Sequence, residues 1–218
     1  MLPLALNHPS DRPLAILCLG AHSDDIEIGA AGAILTLLER HPGSRVRWIV
    51  FSANEQREAE ARSSADSLLS RAGEADVIVH HFQDSFFPAE LPRIKQSFEA
   101  LKPFAPDIVF THYQGDHHQD HRVISELTRN TFRNQLILEY EILKYDPDLG
   151  NPNLLVPLSA QNAAQKLAAL STYFSSQRQR HWFAEETFTA MMRIRGAQAA
   201  SPSGLAEGFY ATKLLLHG

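Results

Sequence analysis

The alternation of short apolar runs with longer amphipathic runs is the feature that most restricts how this chain can fold. Each of four apolar runs has the length of a buried strand and is followed by a segment with helical periodicity. The apolar runs are 14–19, 46–52, 76–82 and 108–111, and the helical segments are 27–40, 54–72, 91–102 and 120–129. Four such alternations predict right-handed βαβ units around a mostly parallel sheet flanked by helices, which is an α/β fold.

The last third of the chain has a different pattern. It contains no linker, repeat or low-complexity tract, so we expect residues 1–218 to form a single domain whose C-terminal additions wall the site. The predicted elements are a strand over 136–145, a loop with three prolines over 146–157, helices over 159–173 and 177–195, a Gly/Ser/Pro-rich segment over 196–204 and a terminal strand over 208–216.

Composition excludes several classes of partner. The net charge of -5 and the pI near 6.1 provide no basic surface for nucleic acid or for a membrane. No apolar stretch reaches the roughly 18 residues of a membrane span, and the single cysteine, Cys18, excludes an intramolecular disulfide. We therefore expect a soluble, cytoplasmic protein that acts on a small molecule, while exposed apolar loops leave a homo-oligomer open.

Metal-competent side chains follow the first predicted strand directly. His22, Asp24 and Asp25 lie at a strand-to-helix turn, and ligands bind at such turns in open α/β sheets. A simpler alternative is that Ser23 or Asp24 caps the next helix and that Asp25 is favoured there by the helix dipole.

A second polar segment follows the predicted strand 108–111. Residues 111–121 contain four of the chain's eleven histidines. Imidazole and carboxylate suit zinc or ferrous iron, and a catalytic site needs three protein ligands with one open position. His22, Asp25 and His121 would supply that set if the two strands are neighbours. His112 and His117 are then expected to be surrounding or solvated histidines rather than ligands.

The two motifs, AHSDDIEIG at 21–29 and GDHHQDH at 115–121, resemble the PIG-L/LmbE-like family of metal-dependent N-acetylglucosamine-type deacetylases. The resemblance covers essentially the whole chain from Leu14, and it implies a Rossmann-like fold. Weaker landmarks that also resemble the family are Arg57 and Glu60, Glu139-Tyr140-Glu141, Pro152-Asn153, Ser176-Gln177 and Ala206-Glu207-Gly208-Phe209.

By matching positions, the resemblance implies that His22, Asp25 and His121 bind a divalent metal, usually Zn²⁺, although Fe²⁺ is another candidate. It implies that Asp24 is the general base of the reaction. This sequence has Ser23 where the family usually has proline, so the turn lacks the restraint of a proline ring.

The same resemblance assigns three further residues. His118 corresponds to a histidine that protonates the leaving amine or stabilises the oxyanion, Asp120 to an aspartate that supports this histidine, and Arg57 to an arginine that contacts substrate. Arg57 could equally form an i,i+3 ion pair with Glu60. Asp116 occupies a position where some members have a tyrosine, so it receives no oxyanion role.

The residue types are consistent with amide hydrolysis, which needs an activated water and a protonated leaving amine. Taken with this chemistry, the resemblance implies a hydrolase that removes an N-acetyl or other N-acyl group from an amino sugar or a conjugate of one. Phe86 and Phe87 could stack on a sugar or pack beneath their loop. The alternatives are a ferrous oxygenase, a phosphoesterase with a second metal, and a carbohydrate-binding relative without catalysis.

Overall fold

A computed structural model describes residues 3–6 and 12–215, and it shows seven strands in one sheet. The strands are β1 (Ala15–Gly20), β2 (Arg45–Val50), β3 (Glu74–Val79), β4 (Ile108–His112), β5 (Leu136–Tyr140), β6 (Leu154–Pro157) and β7 (Ala206–Tyr210). Strands β1 to β5 pair in parallel, and β7 joins both β5 and β6 antiparallel. The predicted α/β fold with a mostly parallel sheet is confirmed.

Helices cover both faces of this sheet. They are α1 (Asp25–Arg40), α2 (Glu55–Leu68), α3 (Phe87–Leu101), α4 (Gln119–Thr131), α5 (Ala160–Tyr173) and α6 (Glu185–Gln198). Alternate residues of β1 point to opposite layers: Ile16 and Cys18 pack with α1, α2, α5 and α6, whereas Leu17 and Leu19 pack with α3 and α4. Within the described ranges, no helix combines the length and apolarity needed to cross a bilayer.

The strand order is β3-β2-β1-β4-β5-β7-β6. This order creates a crevice at the carboxyl ends of the central strands β1 and β4. From β1 the chain proceeds to β2 and β3 on one side, whereas β4 and β5 lie on the other side. The pairing of Ile16 with Ile108 and of Cys18 with Phe110 shows that β1 and β4 are parallel neighbours. The turns after these two strands therefore open on the same crevice, which is where ligands bind in this class of sheet.

The predicted loop over 146–157 was wrong at its end, where residues 154–157 form β6. Its prolines suggested a loop, but Pro157 is the last residue of a strand that pairs only with β7. An edge strand tolerates proline because it has an open side that needs no N–H donors.

Other predicted boundaries also moved, and the three largest shifts lie in the last third of the chain. The helix predicted over 177–195 begins only at Glu185, because residues 175–177 form a separate 3₁₀ turn. The strand predicted over 136–145 ends at Tyr140. The terminal strand predicted over 208–216 ends at Tyr210, and residue 216 lies outside the described residues.

A buried ion pair joins α1 to α5 and β7. Lys166 Nζ lies 2.6 Å from Glu207 Oε1, and both side chains are almost fully buried. The Glu207 carboxylate accepts hydrogen bonds from the backbone N–H groups of Gly32 and Ala33, at 3.1 and 2.7 Å. Lys166 also donates to the carbonyl oxygen of Ile28 at 2.6 Å. These contacts fix the position of α1 against the sheet.

Helix α1 also lies unusually close to β5. A Cβ atom added at Gly29 would be 2.2 Å from Cδ2 of Tyr140, so only glycine permits this approach. The hydroxyl of Tyr140 donates to the carbonyl oxygen of Leu19 at 2.6 Å. Tyr140 therefore joins the start of α1 to the ends of β1 and β5.

We expect Lys166→Met to lower the free energy of unfolding by about 3–5 kcal/mol, because it leaves Glu207 buried without its cation. Urea denaturation followed by circular dichroism measures this change. Lys95→Met is the matched control, since it removes a partly exposed 2.6 Å pair with Glu99 and should cost less than about 1 kcal/mol. Equal small losses in both variants would contradict this account of α1.

Candidate metal centre

The turn after β1 directs its carboxylates into the crevice. Asp24 is the N-cap residue of α1, but its side chain makes no capping hydrogen bond. Its Oδ1 atom accepts instead from Arg57 Nη2 at 2.6 Å. The hydroxyl of Ser23 is buried and has no hydrogen-bond partner in the described part of the chain. The capping alternative therefore has no support from these side chains.

The ligand atoms of His22, Asp25 and His121 form a nearly equilateral triangle. His22 Nδ1 lies 3.2 Å from His121 Nε2 and 3.3 Å from Asp25 Oδ2. Asp25 Oδ2 lies 3.5 Å from His121 Nε2. Two ligand atoms of a tetrahedral zinc ion are separated by about 3.3 Å, given Zn–N and Zn–O bonds of about 2.0–2.1 Å. The donor types and their spacing therefore fit Zn²⁺ with one position left for water or substrate.

The outward-facing nitrogen of each of these histidines lies against a carboxylate. His121 Nδ1 is 2.8 Å from Asp116 Oδ2. His22 Nε2 is 3.2 Å from Asp84 Oδ1 and 3.4 Å from Asp120 Oδ2. A metal-ligating histidine usually donates its other ring N–H to such a group, which fixes the ring orientation.

Burial and mutual contact shift the pKa values of all three groups. Burial, together with the nearby His112, lowers the pKa of His121 to about 3, so its ring is neutral as a ligand must be. Burial opposes ionisation of Asp25, but the surrounding histidines hold its pKa well below the usual value. Burial likewise opposes protonation of His22, but Asp25 and the carboxylates behind the ring raise its pKa well above the usual value. The shifts of Asp25 and His22 show that the carboxylates of this cluster stabilise positive charge beside them.

His112 lies beside the triangle without completing it. Its Nε2 atom is 3.3 Å from Asp25 Oδ2, and a ring nitrogen of His112 lies within 4.8 Å of ligand atoms of both Asp25 and His121. However, that nitrogen accepts the backbone N–H of Ala21 at 2.9 Å, so its lone pair is already used. The ring also stacks on His121 with 3.9 Å between centroids. His112 thus holds the turn after β1, whereas His117 is exposed.

His118 occupies the N-cap position of α4. Its Nδ1 atom accepts the backbone N–H of Asp120 at 3.3 Å. In the neutral ring the hydrogen is then on Nε2, which can donate it. Burial and the neighbouring His22 lower the pKa of His118 below its usual value. The ring centroids of His22 and His121 lie 4.9 and 4.6 Å away.

The carboxylate of Asp120 holds the loop before α3. It accepts the backbone N–H groups of Ser85 at 2.6 Å and of Phe87 at 3.1 Å. Among the described contacts, it makes no hydrogen bond with the ring of His118. Phe87 is fully buried with its ring centroid 6.2 Å from that of His22, whereas Phe86 is about half exposed.

Arg57 points toward the turn after β1 rather than along its own helix. Its guanidinium binds Asp24, as noted, and its side chain is 15% exposed. Glu60, the alternative partner, accepts hydrogen bonds from Ser175 and from the backbone and hydroxyl of Ser176. The i,i+3 pair considered from the sequence does not form. Burial raises the pKa of Asp24, and Arg57 opposes this shift.

Sequence reasoning missed Asp84 and Lys144 and gave no role to Asp116. Lys144 Nζ lies 2.9 Å from Asp116 Oδ1 and 2.6 Å from Asp148 Oδ2. Asp84 and Lys144 each follow the carboxyl end of a strand of the parallel sheet, β3 and β5 respectively. That position could have identified them from the sequence, because the carboxyl ends of parallel strands all lie on the side of the sheet where ligands bind.

Comparison with known proteins identifies the family of this chain. A sequence model of the PIG-L family, GlcNAc-PI de-N-acetylase, matches residues 17–132, which is more than half of the chain and includes both histidine motifs. The chain belongs to the PIG-L family.

Solved structures show the same fold at low sequence identity. The conserved protein TT1542 from Thermus thermophilus has a TM-score of 0.73 and 23% identity over 94% of this chain and 97% of its own. GalB, the 4-carboxy-2-hydroxymuconate hydratase from Pseudomonas putida, has a TM-score of 0.75 and 19% sequence identity, over 94% of this chain and 98% of its own. The N,N'-diacetylchitobiose deacetylase from Pyrococcus horikoshii has a TM-score of 0.65 and 19% sequence identity, over 89% of this chain and 82% of its own. These structures include a hydratase as well as a deacetylase.

We expect Asp116→Asn to weaken zinc binding by about 10- to 100-fold, because His121 loses the carboxylate behind its Nδ1 atom. Competition with a chromophoric chelator measures the affinity. Asp148→Asn is the matched control: Asp148 binds the same Lys144 but contacts no ligand ring, so affinity should be unchanged. A loss of the same size in both variants would show that the Asp116–His121 contact is not the cause.

Proposed function

We propose that this PIG-L family member is a zinc-dependent hydrolase that removes an N-acetyl group, or another small N-acyl group, from an amino sugar or its conjugate. The observation that carries the proposal is the triangle of His22 Nδ1, Asp25 Oδ2 and His121 Nε2, with sides of 3.2–3.5 Å. A bound divalent cation supplies two things there, a pKa for water near 7 and polarisation of the amide carbonyl.

Asp24 is the proposed general base. Its carboxylate adjoins the ligand Asp25 in sequence, is buried, and is not used as a helix cap. Arg57 holds one oxygen at 2.6 Å, which leaves the other oxygen available to accept a proton from the attacking water. Arg57 therefore positions the base, and the contact with substrate that the resemblance implies for Arg57 stays a prediction.

His118 is the proposed proton donor to the leaving amine. The backbone N–H of Asp120 occupies Nδ1, so Nε2 carries the hydrogen in the neutral ring. An amine is a poor leaving group unless it is protonated as it departs, which is the step that this N–H can serve. Asp120 acts on the site indirectly, because it fixes both the loop 84–87 and the ring of His22.

The substrate class rests on the family and on the rim of the crevice. A deacetylase of N,N'-diacetylchitobiose shares this fold. Phe86 is about half exposed and lies in the loop that Asp120 holds, and aromatic side chains of this kind can pack on the apolar face of a sugar ring. The hydratase with the same fold shows that the fold alone does not set the reaction. The choice of amide hydrolysis among the reactions of this fold therefore rests on the proposed base and acid beside the metal ligands.

The test measures acetate release by zinc-reconstituted protein from N-acetylated amino sugars and their nucleotide, thiol and lipid conjugates. We expect release from one class. Asp24→Asn and His118→Asn should keep one metal per chain and lose about 100- to 10,000-fold in kcat. Asparagine at 118 retains an acceptor for the N–H of Asp120, so α4 keeps its cap.

Asp66→Asn, on the exposed face of α2, is the control and should keep full activity. If Asp24→Asn binds metal and stays nearly as active as the parent, the base assignment is wrong. If the parent holds one metal per chain and releases acetate from none of these compounds, the deacetylase proposal is wrong.

A further inference from the structure

Three aromatic side chains from two distant segments of the chain meet in one cluster. Tyr145 lies in the segment after β5, whereas His181 and Trp182 lie between the 3₁₀ turn at 175–177 and α6. The ring centroid of Tyr145 is 5.1 Å from that of His181 and 6.2 Å from that of Trp182. The proposed hydrolysis uses none of these side chains.

The segment that carries Tyr145 borders the candidate metal centre. It follows the carboxyl end of β5, which is parallel to β4 and therefore ends on the same side of the sheet. Lys144, the neighbour of Tyr145, lies 2.9 Å from Asp116, and Asp116 lies 2.8 Å from the candidate ligand His121. Two side-chain contacts therefore connect the residue next to Tyr145 with the metal centre.

The segment before α6 borders the crevice from the side of α2. Its residues Ser175 and Ser176 donate hydrogen bonds to Glu60. Glu60 lies one turn of α2 after Arg57, whose guanidinium binds Asp24 at 2.6 Å. The aromatic cluster is therefore the place where the two segments that border the crevice meet.

The loop that carries Tyr145 is held by polar contacts that do not involve its ring. Glu141 accepts the backbone N–H of Gly150 at 3.1 Å, and Lys144 Nζ lies 2.6 Å from Asp148 Oδ2. Tyr145 itself is 61% exposed, so its ring adds little buried area to the loop. An exposed aromatic ring on a loop fixed in this way is available to a ligand.

The three rings form a corner rather than a stack. The plane of Tyr145 lies at 80° to that of Trp182 and at 64° to that of His181. Trp182 is partly buried against the core, and its ring meets that of Phe183 edge-to-face with 5.7 Å between centroids. Such a corner offers one ring face and one ring edge, which carry negative and positive partial charge respectively. An aromatic guest can use both, whereas a sugar ring packs only on the face.

We propose that Tyr145, His181 and Trp182 form a subsite for an aromatic group joined to the amino sugar of the substrate. The rings hold that group beside the crevice while the N-acyl group reaches the metal centre. These residues therefore set which conjugate is bound and take no part in bond breaking. The inference rests on the proposed function for the amino sugar, whereas binding of the aromatic group needs no catalysis.

The test compares the phenyl and methyl glycosides of N-acetylglucosamine by calorimetry with the zinc-loaded full chain. The parent should bind the phenyl compound about 3- to 10-fold more tightly, because only this compound brings an aromatic ring to the corner. Tyr145→Ala should reduce the preference to about twofold or less and leave the affinity for the methyl compound unchanged. Tyr145→Phe keeps the ring and should keep the preference. Ile194→Ala removes an exposed apolar side chain of α6 and should behave as the parent.

The fluorescence of Trp182 provides a direct measure of contact. The chain has two tryptophans, and Trp48 is fully buried in the core. Trp48→Phe, shown by circular dichroism to fold, therefore leaves Trp182 as the only source of tryptophan emission. Saturation with the phenyl compound should change this emission, and the methyl compound should not. Unchanged emission at saturation would overturn the contact with Trp182.

The affinities decide the subsite independently of catalysis. Equal affinity for the two compounds in the parent, or a preference that survives in Tyr145→Ala, would overturn it. Equally tight binding of N,N'-diacetylchitobiose, lost in the same variant, would overturn the choice of an aromatic guest. A preference for the phenyl compound without acetate release from any N-acetylated sugar would support the subsite and count against the proposed function. Where acetate is released, Tyr145→Ala should raise KM for the phenyl compound and leave kcat unchanged.

Discussion

The carboxylate of Asp25 is the group on which the rest of the site depends. It lies at the start of α1, is buried, and accepts the backbone N–H of His22 at 2.6 Å. A buried charge is costly unless it is paired or binds a cation. Three imidazole nitrogens surround it at 3.3–3.5 Å, and further carboxylates stand behind two of the rings. The resulting cluster has the composition and dimensions of a metal centre.

The fold supplies this arrangement by placing β1 beside β4. His22 and Asp25 follow the first strand, and His121 lies in the first turn of the helix after the fourth. Helix α1 must keep a fixed position on the sheet and a fixed rotation about its axis for Asp25 to contact these rings. The close approach of Gly29 to Tyr140 and the buried Lys166–Glu207 pair provide that restraint from two sides. Residues far from the crevice therefore contribute to its geometry.

Much of this could be predicted from the sequence because hydrophobic periodicity is local. The strands and helices up to residue 140 were recognisable, and so were the two motifs that the sheet brings together. Long-range contacts were not recognisable. Nothing local shows that Arg57 turns to Asp24, that Asp120 holds the backbone of the loop at 84–87, or that 154–157 pairs with β7. The edge strand β6 was missed because the proline at its end and the two prolines before it are typical of a loop. Roles assigned by resemblance to His118 and Asp120 stay predictions that only variants can test.

Anomalous diffraction at the zinc edge, from crystals grown with one equivalent of Zn²⁺, tests the central claim most directly. The account predicts one strong peak bonded to His22 Nδ1, Asp25 Oδ2 and His121 Nε2 at about 2.0–2.2 Å, with the fourth position open to solvent. A peak at any other set of residues, or none in protein shown to contain zinc, would contradict it.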